Sequence, residues 1–227
     1  FVEPEPLIAA TLDFLGPAGT LVMPAFTLGF GRSRAFDRER TPSETGTLTE
    51  FFRKRPGTRR SLHPFHSVCA AGARAQQLAG AWALSSIGNG GPFSKLYEAD
   101  ALLLCAGVGA ERLTFVHYAE ERVGVPYRAL KGFPGKVVAD GREDARVYEM
   151  YARDPRFKLD LPALGAKLAA EGLPAVEAPL AYGTLSAWRA KPAFDAFARM
   201  LRRDPGALLA PGSPIADLLA GRTVCAT

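Results

Sequence analysis

The sequence predicts an α/β protein in which a central, largely parallel or mixed sheet is flanked by helices. Short apolar runs of strand length alternate with segments of helical periodicity, and glycine- or proline-bearing turns separate them. A chain of 227 residues with 48% hydrophobic content can bury one well-packed core, so a single domain over 1–227 is expected.

The first strand signal is Gly19 to Thr27, after a turn at Gly16-Pro17. Leu28 to Glu44 has no periodicity and is rich in Gly, Arg, Ser and Pro, so it reads as a long functional loop. Thr47 and Glu50 form a capping-box pattern, and Leu48, Phe51 and Phe52 give an apolar face, predicting a helix over 47–55 ended by Pro56-Gly57. Ser67 to Ala71 reads as a small buried strand and Ala73 to Leu84 as an alanine-rich helix. Beyond the glycine cluster at Gly88 to Gly91, a short helix is expected at Phe93 to Glu98 and a buried strand at Ala101 to Val108. Val123 to Gly141 carries short β-like stretches that predict a hairpin lining the site. Helices are expected at Pro162 to Glu171 and at Pro192 to Arg203, the latter presenting Phe194, Phe197 and Leu201 on one face.

Composition excludes several classes. No apolar run approaches the roughly 20 residues that span a bilayer, and no cleavable signal pattern opens the chain, so a soluble, cytoplasmic protein with no membrane partner is expected. Cys69, Cys105 and Cys225 are odd in number and widely spaced, which disfavours a disulfide framework or a structural zinc site. The net charge of +5 is modest and dispersed, giving no nucleic-acid signature; the cluster Arg53-Lys54-Arg55 with Arg59-Arg60 reads as a solvated face, with a contact to a phosphate as the alternative. The oligomeric state is left open.

The chemistry concentrates on histidine. The chain has 3 histidines, His63 and His66 in one segment and His117 in another, and histidine is the side chain whose ordinary pKa suits proton transfer near neutrality. His117 follows the Ala101 to Val108 strand at the expected start of a helix, where open α/β sheets place ligands. Glu120 and Glu121 follow on its helical face and Glu111 precedes it in the strand-to-helix turn; a carboxylate on one ring nitrogen leaves the other free to take a proton. His63 and His66 could shape a site or be satisfied within a turn.

Other fingerprints are missing. Gly107-Val108-Gly109 has arginine where a dinucleotide loop needs its third glycine, no Walker lysine follows a glycine loop, and G-x-S-x-G is absent. A metal-dependent hydrolase built on His63, His66 and His117 stays open as an alternative. However, Pro64 forces His63 toward extended backbone, so helical co-alignment of ligands does not apply, and no metal is assigned.

Four motifs in order then carry a resemblance: Gly19 to Pro24, Arg60-Ser61-Leu62-His63-Pro64 with Ser67 and Ala70-Ala71-Gly72, Gly88 to Glu98, and Gly107-Val108-Gly109 ahead of Thr114, His117, Ala119 and Glu120. From about Leu15 to Val125 the chain resembles the antibiotic acetyltransferase family, whose best-known members are the aminoglycoside 3-N-acetyltransferases. Thr41 to Glu44 and Val125 to Arg128 look like the branch associated with sugar and polysaccharide biosynthesis.

The resemblance implies that family's α/β fold and an N-acetyltransferase using acetyl-coenzyme A. His117 would be the general base, with Glu120 as the matching carboxylate and Glu111 standing where drug-modifying members have aspartate. It places coenzyme A near Thr27, Ser61 and Ser67, and the acceptor amine of an amino sugar or aminoglycoside-like compound near His63 and Asn89. Asn89 replaces a family glutamate, which together with the basic balance favours an amino sugar over a polycationic drug, and Gly91 stands where the family has serine, a departure that bears on coenzyme binding. The family's usual first strand has no counterpart, and the chain opens at Phe1 without methionine, so an upstream segment is expected. A non-catalytic homologue that binds coenzyme or sugar is the second alternative.

Overall fold

The computed structural model describes residues 3–221, and Cys225 lies outside them. The chain divides into two compact units, one taking in Phe1–Lys95 and Lys131–Met150, the other Leu96–Leu130 and Tyr151–Thr227.

The first unit opens with α1 (Pro4–Leu15), which carries proline in its first turn, where no helical N–H is needed. It continues through β1 (Thr20–Pro24), α2 (Phe30–Ser33), β2 (Ala35–Asp37), α3 (Thr47–Lys54), β3 (Arg59–Arg60), β4 (Val68–Gly72) and α4 (Ala75–Gly80). β4 lies antiparallel between β1 and β3, with Met23 opposite Cys69 and Arg60 opposite the same residue. Gly72 is required where the strands meet, since a Cβ there would stand 2.2 Å from the Gly19 carbonyl oxygen. Ile8 and Leu12 of α1 pack with Leu48 and Phe52 of α3 around Cys69 and Ala71.

The Leu28 to Glu44 segment is more ordered than its composition predicts. Arg34 adopts a left-handed φ of 56°, which lets α2 turn directly into β2. The Glu44 carboxylate accepts from the Gly29 N–H at 3.0 Å, clasping the two ends of the segment. The alanine-rich helix is shorter than expected, ending at Gly80, and Ala81 turns to extended backbone.

The basic cluster is not simply a solvated face. Lys54 is exposed, but the Arg53 side chain is only 6% exposed and its guanidinium binds Glu50. Arg60 is buried with no carboxylate partner among the described residues; it donates to the carbonyls of Ala25 (2.5 Å) and Thr41 (2.5 Å) and to the hydroxyls of Thr27 (2.9 Å) and Ser67 (3.0 Å). Its carbon lies 4.7 Å from the centre of the Phe36 ring.

The chain passes between units within α5 (Pro92–Glu98) and along β6 (Arg128–Ala139) and β7 (Arg142–Arg153), which pair as a hairpin longer than the one expected within Val123 to Gly141. β2 runs parallel to β6. Phe30, Phe36, Phe65, Val137 and Tyr148 form a second core of the first unit.

The second unit holds β5 (Leu102–Ala106), a 3-10 turn (Ala110–Arg112), α6 (Val116–Val123), α7 (Leu164–Ala170), β8 (Val176–Pro179), β9 (Thr184–Arg189), α8 (Ala190–Arg203) and α9 (Ile215–Leu219). β9 lies antiparallel between β5 and β8, with Leu103 opposite Trp188. α8 packs on α6 and β9, burying Ala193, Ala196, Phe197, Met200 and Leu201, while Phe194 meets the rings of Tyr97 and Tyr118 at a tilt.

The α/β class therefore holds with mixed pairing, but among the described residues the strands are distributed over three three-stranded sheets, and the β2–β6 pairing is parallel while those of the other two sheets are antiparallel. Alternation of strand and helix along a sequence does not fix pairing direction when partners come from distant stretches, as β5 and β9 do. No described helix is long and apolar enough to cross a membrane.

Candidate active site

β5 ends at Ala106, and Gly107 takes a left-handed φ of 65° that turns the chain out of the sheet. The 3-10 turn leads to α6, where His117 is the second helical residue and its N–H still bonds the Thr114 carbonyl at 3.0 Å. One helical turn on, Glu120 falls on the same face, as i, i+3 spacing requires.

The two side chains meet. His117 Nδ1 lies 2.5 Å from Glu120 Oε2, with the histidine side chain 20% exposed and the glutamate fully buried. A carboxylate oxygen is an acceptor, so Nδ1 carries the proton. Nε2 forms no protein hydrogen bond among the described residues and holds the free lone pair.

Two further residues complete the arrangement, and sequence reasoning assigned neither a role. Gly124, at φ 78°, caps α6 in the left-handed conformation, and the N–H groups of Gly124 and Val125 both reach the Glu120 carbonyl, at 2.9 and 3.2 Å. The reversed chain brings Tyr127 and Arg128 back onto Glu120. Tyr127 donates its hydroxyl to Oε1 at 2.7 Å, and Arg128 Nη2 lies 2.9 Å from Oε2. The available signal was a tyrosine and an arginine just beyond a helix-ending glycine.

Electrostatics follow from this packing. Burial alone would raise the Glu120 carboxyl, but His117, Arg128 and the Tyr127 hydroxyl together hold it below its ordinary value. Burial first, and then the Glu120 charge, push the Tyr127 phenol well up, so it is a permanent donor.

The other predicted site residues sit elsewhere. The Glu111 carboxylate folds back on its own turn and accepts from the Gly109 N–H at 3.2 Å; no hydrogen bond or ion pair joins it to His117 among the described residues. His63 is buried in the first unit, its ring stacked on Trp82 at 5.5 Å and its Nε2 3.3 Å from the Leu84 carbonyl. Asn89 is exposed in the loop before Pro92. Thr27, Ser61 and Ser67 are buried, and each hydroxyl has an internal partner: Arg60 for Thr27 and Ser67, and the Val68 N–H for Ser61. Among the described residues no three His, Cys, Asp or Glu side chains are placed to hold a metal ion. Burial pushes the Cys69 thiol up to about 11 and raises Cys105 as well, so neither supplies a thiolate at neutral pH.

Comparison with known proteins decides the family. Residues 2–202 match the model of the aminoglycoside 3-N-acetyltransferase family. The chain belongs to this family. Aminoglycoside N(3)-acetyltransferase IV of Salmonella is 35% identical over 127 residues, a match taking in 55% of this chain and 48% of that protein. The chain thus spans about half the length of that relative. Among solved structures, aminoglycoside acetyltransferase AAC(3)-IVa as apoenzyme superposes with a TM-score of 0.77 at 26% identity, covering 98% of this chain and 85% of that one. A histidine-to-alanine mutant of the same enzyme, solved in complex with a gentamicin, gives a TM-score of 0.76 at 27% identity over 97% of this chain and 80% of that one.

Proposed function

We propose that this aminoglycoside 3-N-acetyltransferase family member transfers an acetyl group from acetyl-coenzyme A to an amine of an aminoglycoside or amino-sugar acceptor, with His117 as general base. The observation that carries this reading is the His117–Glu120 pair, which commits Nδ1 and leaves Nε2 as a lone-pair acceptor on a partly exposed ring. Membership of the family and the gentamicin complex of a relative support the acceptor class.

Acetyl-coenzyme A would supply an acetyl group activated as a thioester. An acceptor ammonium is not nucleophilic until it loses a proton, and its ordinary pKa lies near 10. That first proton is released to solvent; as the free amine attacks the thioester carbonyl, its nitrogen gives a second proton to His117 Nε2, and the buried Glu120 carboxylate stabilises the imidazolium formed. The proton then passes to the leaving thiolate, leaving the amide, free coenzyme A and a neutral imidazole. The protonated, buried thiols of Cys69 and Cys105 favour direct transfer over an acyl-cysteine intermediate.

In the first unit, Arg60 ties down the hydroxyls of Thr27 and Ser67, so a coenzyme role for Thr27, Ser61 and Ser67 would run through the backbone they fix rather than through free hydroxyls. Glu111, His63 and Asn89 would likewise act by shaping loops.

The test is a screen of gentamicin-type polyamines and mono-amino sugars with acetyl-coenzyme A, following free-thiol release and confirming the amide by mass. Acetylation of at least one acceptor is expected. Thioester hydrolysis alone, or no turnover with either class, would reject the reading.

A further inference from the structure

We propose that Tyr127 and Arg128 are positioning residues, clamping both oxygens of Glu120 so that His117 keeps its proton on Nδ1 and presents Nε2. The role in catalysis rests on the acetyl-transfer reading above; the clamp itself rests on geometry alone.

A lone glutamate on a helix can rotate its carboxylate and offer either oxygen in several directions. Here Oε1 is taken by the Tyr127 hydroxyl at 2.7 Å, and Oε2 is shared by His117 Nδ1 at 2.5 Å and Arg128 Nη2 at 2.9 Å. Glu120 is fully buried, so these donors hold it without competition from bulk solvent. Each clamp residue is itself fixed. The Tyr127 ring packs 6.0 Å from that of Phe157, and the Tyr127 carbonyl accepts from the Asp154 N–H at 2.9 Å. Arg128 Nη1 donates to the Tyr151 carbonyl at 3.2 Å, and the Tyr151 hydroxyl pins the Val125 carbonyl at 2.8 Å.

Arg128 has a second effect. Its Nη2 is also 3.1 Å from His117 Nδ1. A guanidinium has no acceptor, and Nδ1 already carries the proton bound to Glu120, so this approach joins two donors and is electrostatic rather than a hydrogen bond. The cation thereby balances the carboxylate beside the ring. Its Nε is buried without a hydrogen-bond partner among the described residues, so the guanidinium is oriented toward Glu120 and not toward full satisfaction of its own donors.

The test uses the full chain labelled with 15N-histidine, with the His117 signals assigned by their loss in His117→Gln. Two-bond proton–nitrogen correlations then read the ring tautomer at neutral pH with no need for turnover. The wild type should show the Nδ1–H form. Tyr127→Phe, which keeps the ring, should move the population toward Nε2–H and lower kcat about 10- to 100-fold, with KM for the amine little changed. Arg128→Gln, which removes the cation holding Oε2, should likewise move the population toward Nε2–H and lower kcat, and Arg128→Lys should recover part of the wild-type tautomer population. A wild-type tautomer population in both Tyr127→Phe and Arg128→Gln would overturn the clamp whatever the activity. A shifted tautomer in a protein whose wild type acetylates no amine would leave the clamp standing and reject the transfer reading instead.

Discussion

His117 and Glu120, one helical turn apart on α6, face each other with Nδ1 and Oε2 separated by 2.5 Å, and the carboxylate is fully buried. A buried anion is tolerated only when its charge and lone pairs are met, and here the imidazole, the Arg128 guanidinium and the Tyr127 hydroxyl meet them.

Glu120→Gln should therefore lower stability as well as rate. The substitution leaves the Arg128 cation, whose side chain is 8% exposed, without its counter-charge. Removing one partner of a buried pair costs about 3–5 kcal/mol. Urea denaturation of wild type and variant measures this, and a difference below about 0.5 kcal/mol would mean that the carboxylate is not ion-paired.

His63 predicts an acid-sensitive component of stability. Burial pushes its pKa down from 6.5 to about 4, against smaller opposing effects of the Leu84 and Glu149 backbones. Between those values the unfolded chain binds the proton and the folded chain does not, so stability is full above 6.5 and is lost as pH falls toward 4. The loss is on the order of 3 kcal/mol. His63→Phe keeps a ring against Trp82 and should flatten the stability profile between pH 6.5 and 4; an unchanged slope would show that His63 does not titrate in that window.

Much of the site was legible because it is local. The i, i+3 spacing of His117 and Glu120 after an apolar strand predicts a shared helical face, and α3, β4, α5 and α8 follow from apolar runs and periodicity in the same way. The capping box of Thr47 and Glu50 does not form, since Gly46 caps α3 and the Glu50 carboxylate accepts from the Ser43 N–H, and β5 forms with Leu102 and Leu104 exposed rather than buried throughout. Tyr127 and Arg128 were not legible, because their contact with Glu120 depends on a left-handed Gly124 and on a chain reversal that spacing alone does not specify. Arg60 was misread for a related reason. Its neighbours suggest a solvated charge run, yet strand alternation turns Arg59 outward and Arg60 inward, where carbonyls and hydroxyls from three separate segments converge on it.

Ser67 offers a test of the frame around Arg60. Its hydroxyl accepts from Arg60 Nε at 3.0 Å and donates to the Ala25 carbonyl at 2.6 Å, both buried. Ser67→Ala leaves the Arg60 donor unmet and should destabilise the protein by about 1–3 kcal/mol, read as a lower Tm. An unchanged Tm combined with a raised KM for acetyl-coenzyme A would assign the hydroxyl to the coenzyme instead.

Dialysis against a chelator should leave activity intact. Neither a histidine base nor attack on a thioester needs an ion, and no three suitable donors converge among the described residues. Loss of turnover on chelation, with recovery on adding zinc or iron, would return the hydrolase reading.

The most direct measurement compares kcat/KM for acetyl transfer in wild type and His117→Gln, using the best acceptor from the amine screen and verifying the variant's fold by circular dichroism. Loss of the general base should lower kcat/KM about 10²- to 10⁴-fold with the fold intact. A folded His117→Gln protein with near-wild-type turnover would contradict the assignment of His117 as the base.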